Sequence, residues 1–255
     1  AVGLACGGTI RVLVEPVGAA LAPGLLTELV EARAARRPVA VEARLTEGPR
    51  QGPVTRLESI AHRLLGYDDI PERFDADRSG FDAEAPDRFV AVHAPPLRLA
   101  IVGGVHIAQP LARMARETGY DVTIIDPREA FASEARFPGE ALVHDWPDAA
   151  LERHGLDIRT AVVLLTHDPK LDDPALIRAL PSPVFYIGAL GSTRTHAKRV
   201  ERLAEAGLTE AHIARIDAPI GLDIGARSPA EIAVAVMAEM TERLRRPATR
   251  PGSAA

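Results

Sequence analysis

The sequence predicts an α/β fold: a Rossmann-type, mostly parallel sheet with helices on both faces, preceded by a smaller, truncated α/β domain. Three observations predict it. From Leu97 to about Arg246, short apolar runs alternate with segments of helical spacing, the rhythm of strand–helix–strand units. The runs Ala161–Leu165 and Val184–Ile187 are continuously apolar, as strands buried on both faces are. Between the first strand and the first helix of this region stands Gly103-Gly104-Val105-His106-Ile107-Ala108, where a dinucleotide-binding turn belongs.

Composition bounds the function. A chain of 255 residues with 47% hydrophobic and 25% charged residues can bury a core and is neither disordered nor fibrous. Its longest apolar run, Ile232 to Ala238, is far below the roughly 18 residues that span a bilayer. No charged-then-apolar leader opens the chain, so the expected compartment is the cytoplasm. A net charge of −5 argues against broad nucleic-acid binding. The single cysteine, Cys6, excludes an internal disulfide and any all-cysteine metal site. The chain starts at Ala1 without Met and is read as a fragment.

Before Pro95-Pro96 the elements are short: Thr9–Glu15 as a strand, Leu25–Arg37 as a helix introduced by Pro23, and Val39–Leu45 as an alternating strand. Residues Pro49 to Pro86 carry Gly, Pro and Asp breakers, with a short helix at Arg56–Leu65, and Phe89–His93 is a further strand. The proline pair cannot donate backbone hydrogen bonds, which makes it the boundary between a partial N-terminal domain, 1–94, and a Rossmann-type domain, 95–246, with a flexible tail at 247–255. In the second domain Leu97–Val102 is the first strand. Ile107, Leu111, Met114, Ala115 and Thr118 fall at helical spacing, with Pro110 tolerated near the first turn. Val122–Ile125 is the next strand, ending on Asp126. Ser228, Pro229 and Glu231 spell a capping box for the last helix, whose Ile232, Val236, Met240 and Leu244 form one buried stripe, and Met237 and Met240 are assigned to packing.

Candidate binding residues cluster where strands end. Gly103 and Ala108 fit the dinucleotide fingerprint, but Val105 replaces the middle glycine and should crowd a pyrophosphate. Gly103 and Gly104 either approach a ligand or only form the turn. Asp126 is placed to hold a ribose hydroxyl and Arg128 to meet a phosphate or carboxylate. Thr166-His167-Asp168 follows a central strand, with Asp172 and Asp173 close behind. Gly188-Ala189-Leu190-Gly191-Ser192, leading into Arg194, His196, Lys198 and Arg199, makes an anion cradle at a helix N-terminus, against the plainer reading of a glycine turn and a solvated basic helix. His106, His167 and His196 come from three strand ends and are expected to face one crevice. No short-spaced ligand motif supports a metal there. Gly221, in the loop from Asp217 to Ala226, suggests close backbone approach to a ligand or another domain.

These motifs together resemble the XdhC/CoxI family of molybdenum-cofactor maturation proteins over nearly the whole chain. The resemblance is carried by Gly3-Leu4-Ala5-Cys6-Gly7-Gly8-Thr9-Ile10 with Glu15-Pro16, by Asp126-Pro127-Arg128 with Arg136-Phe137-Pro138, by Thr166-His167-Asp168, by Tyr186–Ser192 and by Pro219–Gly225. It implies an accessory protein, more than a catalyst, that binds molybdenum cofactor as cargo, protects it during sulfuration and helps insert it into a molybdenum hydroxylase of the xanthine dehydrogenase or carbon monoxide dehydrogenase type. A cysteine desulfurase and a second copy of the chain are further partners it implies. Cys6, Gly7 and Gly8 mark the family's N-terminal domain, where a soft thiolate suits molybdenum or its sulfur chemistry; the plain alternative for Cys6 is a small buried residue. The family's earlier glycine-rich segment with an acidic residue is absent, and Thr193 stands where the family often has Arg. An NAD(P)-dependent oxidoreductase using the same crevice is the competing reading. A docking module that only recruits a hydroxylase is a third.

Overall fold

The computed structural model describes residues 12–51 and 54–246, with backbone only at 48–51 and 54–58. Two compact units divide between Pro95 and Pro96. In the first, helix α1 (Pro23–Ala34) starts on a proline at a position with no intrahelical donor to lose. A four-stranded antiparallel sheet follows, in the order β2-β1-β4-β3, from β1 (Val39–Gln51), β2 (Val54–Gly66), β3 (Gly80–Phe81) and β4 (Arg88–His93), with a short helix α2 (Pro71–Asp75) before β3. Ala40, Leu65, Ile70, Phe74 and Val90 form its core.

Two expectations for this unit fail. Arg56–Leu65, expected as a helix, lies within β2. Leu57, Ile60, Ala61 and Leu64 do sit at helical spacing, but pairing with β1, as in Val41 opposite Leu64 and Leu45 opposite Ile60, decides the conformation. Exposure then alternates along the strand, with Ile60, His62 and Leu64 half-buried and Ser59, Ala61 and Arg63 exposed. Val12–Glu15, expected to be part of a strand, are irregular; Thr9–Arg11 lie outside the described residues.

The second unit is a six-stranded, all-parallel sheet in the order β10-β9-β8-β5-β6-β7. The strands are β5 (Leu97–Val102), β6 (Tyr120–Ile125), β7 (Ala141–Val143), β8 (Thr160–Leu164), β9 (Tyr186–Ala189) and β10 (Ile216–Asp217). Helices α3 (Ala108–Glu117), α4 (Pro147–His154), α5 (Pro169–Ala179), α6 (Thr193–Glu205), α7 (Glu210–Ile213) and α8 (Pro229–Arg245) connect and flank them. The chain winds outward from β5 to β7, then returns to lay β8 on the other side of β5. That reversal is the topological switch point of a doubly wound sheet.

Alternation along each strand explains the continuous apolar runs. Leu99, Ile101, Ile124, Ala161 and Val163 face a core shared with α3 and α8, including Leu111, Val236 and Met240. Ala100, Val102, Ile125, Val162 and Leu164 face a second core with Leu151, Leu176 and Leu203 of α4, α5 and α6. The capping box of α8 forms as expected: Glu231 N–H donates to Ser228 Oγ at 3.2 Å and Ser228 N–H donates to Glu231 Oε2 at 2.8 Å. Met237 and Met240 are buried in the first core. The strand expected at Val184–Ile187 is displaced, and β9 runs through Gly188 and Ala189.

Candidate functional site

The loops after β5, β6, β8 and β9 gather at the carboxyl edge of the sheet, where doubly wound folds bind ligands. At the first crossover the glycines serve the protein's own backbone. Gly103 has φ +104, and a Cβ there would meet Thr166 Cγ2 at 2.5 Å, so the β5 and β8 loops pack directly together. At Gly104 a Cβ would strike the Phe131 carbonyl oxygen. Val105 packs against the α3/α8 core, so its side chain is taken up there. His106 follows it, exposed.

Asp126 is fully buried, and its carboxylate is saturated. Oδ2 accepts from Gly104 N–H at 3.0 Å and Arg128 Nη2 at 2.8 Å; Oδ1 accepts from Arg128 N–H at 3.0 Å and Arg128 Nε at 2.8 Å. Burial alone would push this carboxyl up, but the Arg128 guanidinium and the two N–H groups outweigh it and hold the group below the usual carboxylate range. A ribose hydroxyl would have to displace Arg128. Through these contacts Asp126 ties the β5 turn to the end of β6. Arg128 lies over the Phe131 ring, 4.0 Å from its centroid, with much of its side chain exposed. Asp168 adds to the field that raises the Arg128 proton affinity, after the larger effect of Asp126, so the β6 and β8 loops face each other electrostatically.

After β8, His167 takes φ +63, a left-handed conformation that is uncommon outside glycine, and is exposed. Asp168 caps α5, its Oδ1 accepting from Lys170 N–H at 3.0 Å. Asp172, close behind in sequence, lies one turn into α5 and is buried. It accepts from the Thr166 hydroxyl and from Arg199. Asp173 forms a paired contact with Arg202, at 2.5 and 2.9 Å.

At the end of β9 the expected cradle is redistributed. Gly188 is inside the strand, where a Cβ would meet Ile220 Cδ1 and the Tyr186 hydroxyl oxygen, both at 2.5 Å, so its smallness is used in the core. Gly191 makes the turn at φ +141 against Thr195. Ser192 caps α6, accepting from Thr195 N–H at 3.2 Å. Arg194 is exposed on the first turn. His196 is half-buried; burial, then Arg199, lower its basicity, and its Nδ1 has no hydrogen-bond partner among the described residues. Gly221, at φ +90, approaches α8: a Cβ there would lie 3.0 Å from Ala235 Cβ, and its N–H donates to Glu239 at 2.8 Å. Cys6, Gly7 and Gly8 lie outside the described residues. Among the described residues no three His, Cys, Asp or Glu side chains converge to hold a metal.

Sequence reasoning grouped Arg199 with the cations of the anion cradle and missed that it is the largest fully buried side chain among the described residues. The signal was present: Arg199 falls on the same helical stripe as Val200 and Leu203, both of which face the second core. No helix among the described residues is long and apolar enough to cross a membrane.

Comparison with known proteins agrees with this architecture. The family model described as the XdhC Rossmann domain matches residues 99–240, more than half of the chain. An uncharacterized protein of Escherichia coli, YqeB, is 35% identical over 65% of this chain and 32% of its own length. The molybdenum cofactor insertion chaperone PaoD of Escherichia coli is 36% identical over 57% of this chain and 40% of its own. A probable xanthine dehydrogenase subunit of Bacillus subtilis is 31% identical over 64% of this chain and 48% of its own. The chain thus spans a third to a half of the length of these relatives. A crystal structure described as a xanthine dehydrogenase from Bacillus halodurans superposes with a TM-score of 0.64 at 23% identity, covering 94% of this chain and 68% of that one, a likeness of fold. With the parallel sheet, the switch point and the matched span in agreement, the chain belongs to the XdhC family and carries its Rossmann domain.

Proposed function

We propose that this chain is part of an accessory protein that binds molybdenum cofactor at the carboxyl edge of the parallel sheet and assists its sulfuration and insertion into a molybdenum hydroxylase. The observation that carries this reading is the first turn of α6. It begins directly after a central strand, presents its positive end and Arg194, and holds beside them the buried Nδ1 of His196, which has no hydrogen-bond partner among the described residues. An anionic ligand rich in ring nitrogens and phosphate oxygens fits those donors and acceptors. The insertion-chaperone name of one relative and the xanthine dehydrogenase name of another point to the same chemistry. The saturated Asp126 disfavours the nicotinamide alternative, because its carboxylate already accepts four donors.

In this reading Arg194 and His196 orient the cargo, Gly191 and Ser192 shape the turn that receives it, and His167, Asp168 and Arg128 border the crevice. Cys6, with Gly7 and Gly8, supplies a thiolate for the molybdenum or its terminal sulfur. The client is a xanthine dehydrogenase-type or carbon monoxide dehydrogenase-type hydroxylase, met in the cytoplasm, with a cysteine desulfurase as sulfur donor and a homodimer as the working unit.

The test is to incubate the purified chain with cofactor released from a molybdoenzyme, remove free cofactor by gel filtration, and measure retained molybdenum and pterin fluorescence. Stoichiometric retention is expected in the parent, with loss in Arg194→Ala and in Cys6→Ser. Full retention in both variants overturns the assignment of these residues, and no retention by the parent overturns the reading.

A further inference from the structure

Between α5 and α6 lies a cleft of about 230 Å3 whose lining is dominated by cations. Arg194, Lys198 and Arg202 recur every fourth residue along α6 and so share one helical face, while His167 and Pro169 form the opposing wall. Its floor is Arg199, 1% exposed. Two of the contacts to Arg199 come from Nη2, which donates to the Leu190 carbonyl at 3.0 Å and to Asp172 at 3.3 Å. The other terminal nitrogen, Nη1, is buried and has no hydrogen-bond partner among the described residues. A buried guanidinium N–H without an acceptor is costly and rare, and it calls for one.

We infer that this cleft is a phosphate-recognition pocket in which Arg199 Nη1, from the floor, and Arg194 and Lys198, from the side, bind the oxygens of one phosphate group. The two carboxylates beside it offset Arg199 and Arg202, with which they pair, so the positive field of the cleft comes from Arg194 and Lys198, for which no carboxylate partner stands among the described residues. Donors arriving from different directions suit the tetrahedral oxygens of phosphate better than a planar carboxylate. The size decides how much of a ligand enters: whole small-molecule sites run to about 300–1,000 Å3, so this cleft takes one end. That end is the phosphate of a larger ligand or a free inorganic phosphate. The inference deepens the reading above, with which it shares Arg194 and on whose placement of the site it rests; Lys198 and Arg199 are what it adds, and neither requires the ligand to be a pterin.

The experiment titrates the isotopically labelled full chain with inorganic phosphate, phenyl phosphate and, at matched ionic strength, acetate, following the arginine side-chain N–H resonances. A saturable, single-site shift of the Arg199 signals with both phosphates is expected. Lys198→Gln and Arg194→Gln, each with an unchanged unfolding midpoint as evidence of folding, should weaken it by roughly tenfold. Tighter binding of phenyl phosphate identifies the end of a larger ligand; tighter binding of inorganic phosphate identifies the free ion. No saturable shift up to about 10 mM phosphate, equal saturation by acetate, or full affinity in both variants overturns the inference. A chain that retains no pterin but still titrates with phosphate refutes the cofactor reading alone.

Discussion

Arg199 Nη2 lies 3.3 Å from Asp172 Oδ2, with both side chains at least 97% withdrawn from water, and this pair fastens α6 to α5 behind the carboxyl edge of the sheet. Burial is the largest influence on Asp172 and pushes its carboxyl up, against the opposing pull of the Thr166 hydroxyl and Arg199. Removing one partner of such a pair strands the other. Asp172→Ala should therefore cost about 3–5 kcal/mol, measured by urea unfolding, whereas the double replacement Asp172→Leu with Arg199→Met should cost much less than the single one. A single replacement that costs under about 1 kcal/mol would mean that water reaches Arg199 and relieves it.

Asp126 presents the opposite case. Its folded carboxyl titrates below its ordinary value, so its contribution to stability is present above the unfolded value and is lost as pH falls through the folded one. Asp126→Asn forfeits the charged half of the Arg128 contacts and should destabilise the Rossmann unit by about 1.5–3 kcal/mol at neutral pH. The gap between the parent and variant midpoints should narrow below about pH 4. A gap that stays constant from about pH 7 to about pH 3 would show that shape, and not charge, is what Asp126 supplies.

How much of this was legible in the sequence follows from how local each determinant is. β5, β6, α3 and α8 were readable because a short apolar run, a helical stripe and a capping box each act within a few residues. The small residues Gly188 and Ala189 read as a loop because the reason for them, Ile220 and the Tyr186 hydroxyl filling the space of a Cβ, arrives from a distant turn and from the strand itself. Asp126 was legible as a special carboxylate but not as a saturated one, since Gly104 reaches it only once β5 and β6 are paired. In the first unit, β2 carries a helical pattern that only its long pairing with β1 overrides. The strand ends could be read from local pattern; the partners of their residues, which come from other elements, could not.

Glu239 on α8 offers a second titration with the sign reversed. It accepts from the Tyr186 hydroxyl at 2.5 Å and from Gly221 N–H at 2.8 Å, and burial, chief among the influences on it, raises its carboxyl above the ordinary value. A raised folded value means that the stabilising protonated form is fully present below the unfolded value and is lost as pH rises through the folded one. Glu239→Gln keeps an oxygen acceptor for both donors and never ionises. Its thermal midpoint should exceed the parent's at about pH 7 to 8, and the advantage should vanish below about pH 4. An advantage that instead grows on acidification would refute the assigned direction.

Gly188 tests whether the end of β9 belongs to the core or to the ligand site. A Cβ at this position would sit 2.5 Å from Ile220 Cδ1 and 2.5 Å from the Tyr186 hydroxyl, closer than real Cβ contacts come, so Gly188→Ala should destabilise by about 1–3 kcal/mol. Ile220→Val deletes the Cδ1 atom. In the wild-type background it should cost about 0.5–1.5 kcal/mol, but combined with Gly188→Ala it should recover part of the loss, because the deleted methyl is one of the three atoms that the new Cβ strikes, with Ile220 Cγ1 and the Tyr186 hydroxyl remaining. Gly24→Ala is the contrasting case: Gly24 lies in the first turn of α1 with no atom within 4 Å of a Cβ, and it should gain up to about 1 kcal/mol in helix stability. If Gly188→Ala is neutral and shows no coupling to Ile220→Val, the end of β9 has room to spare, and Gly188 returns to the ligand side of the sheet.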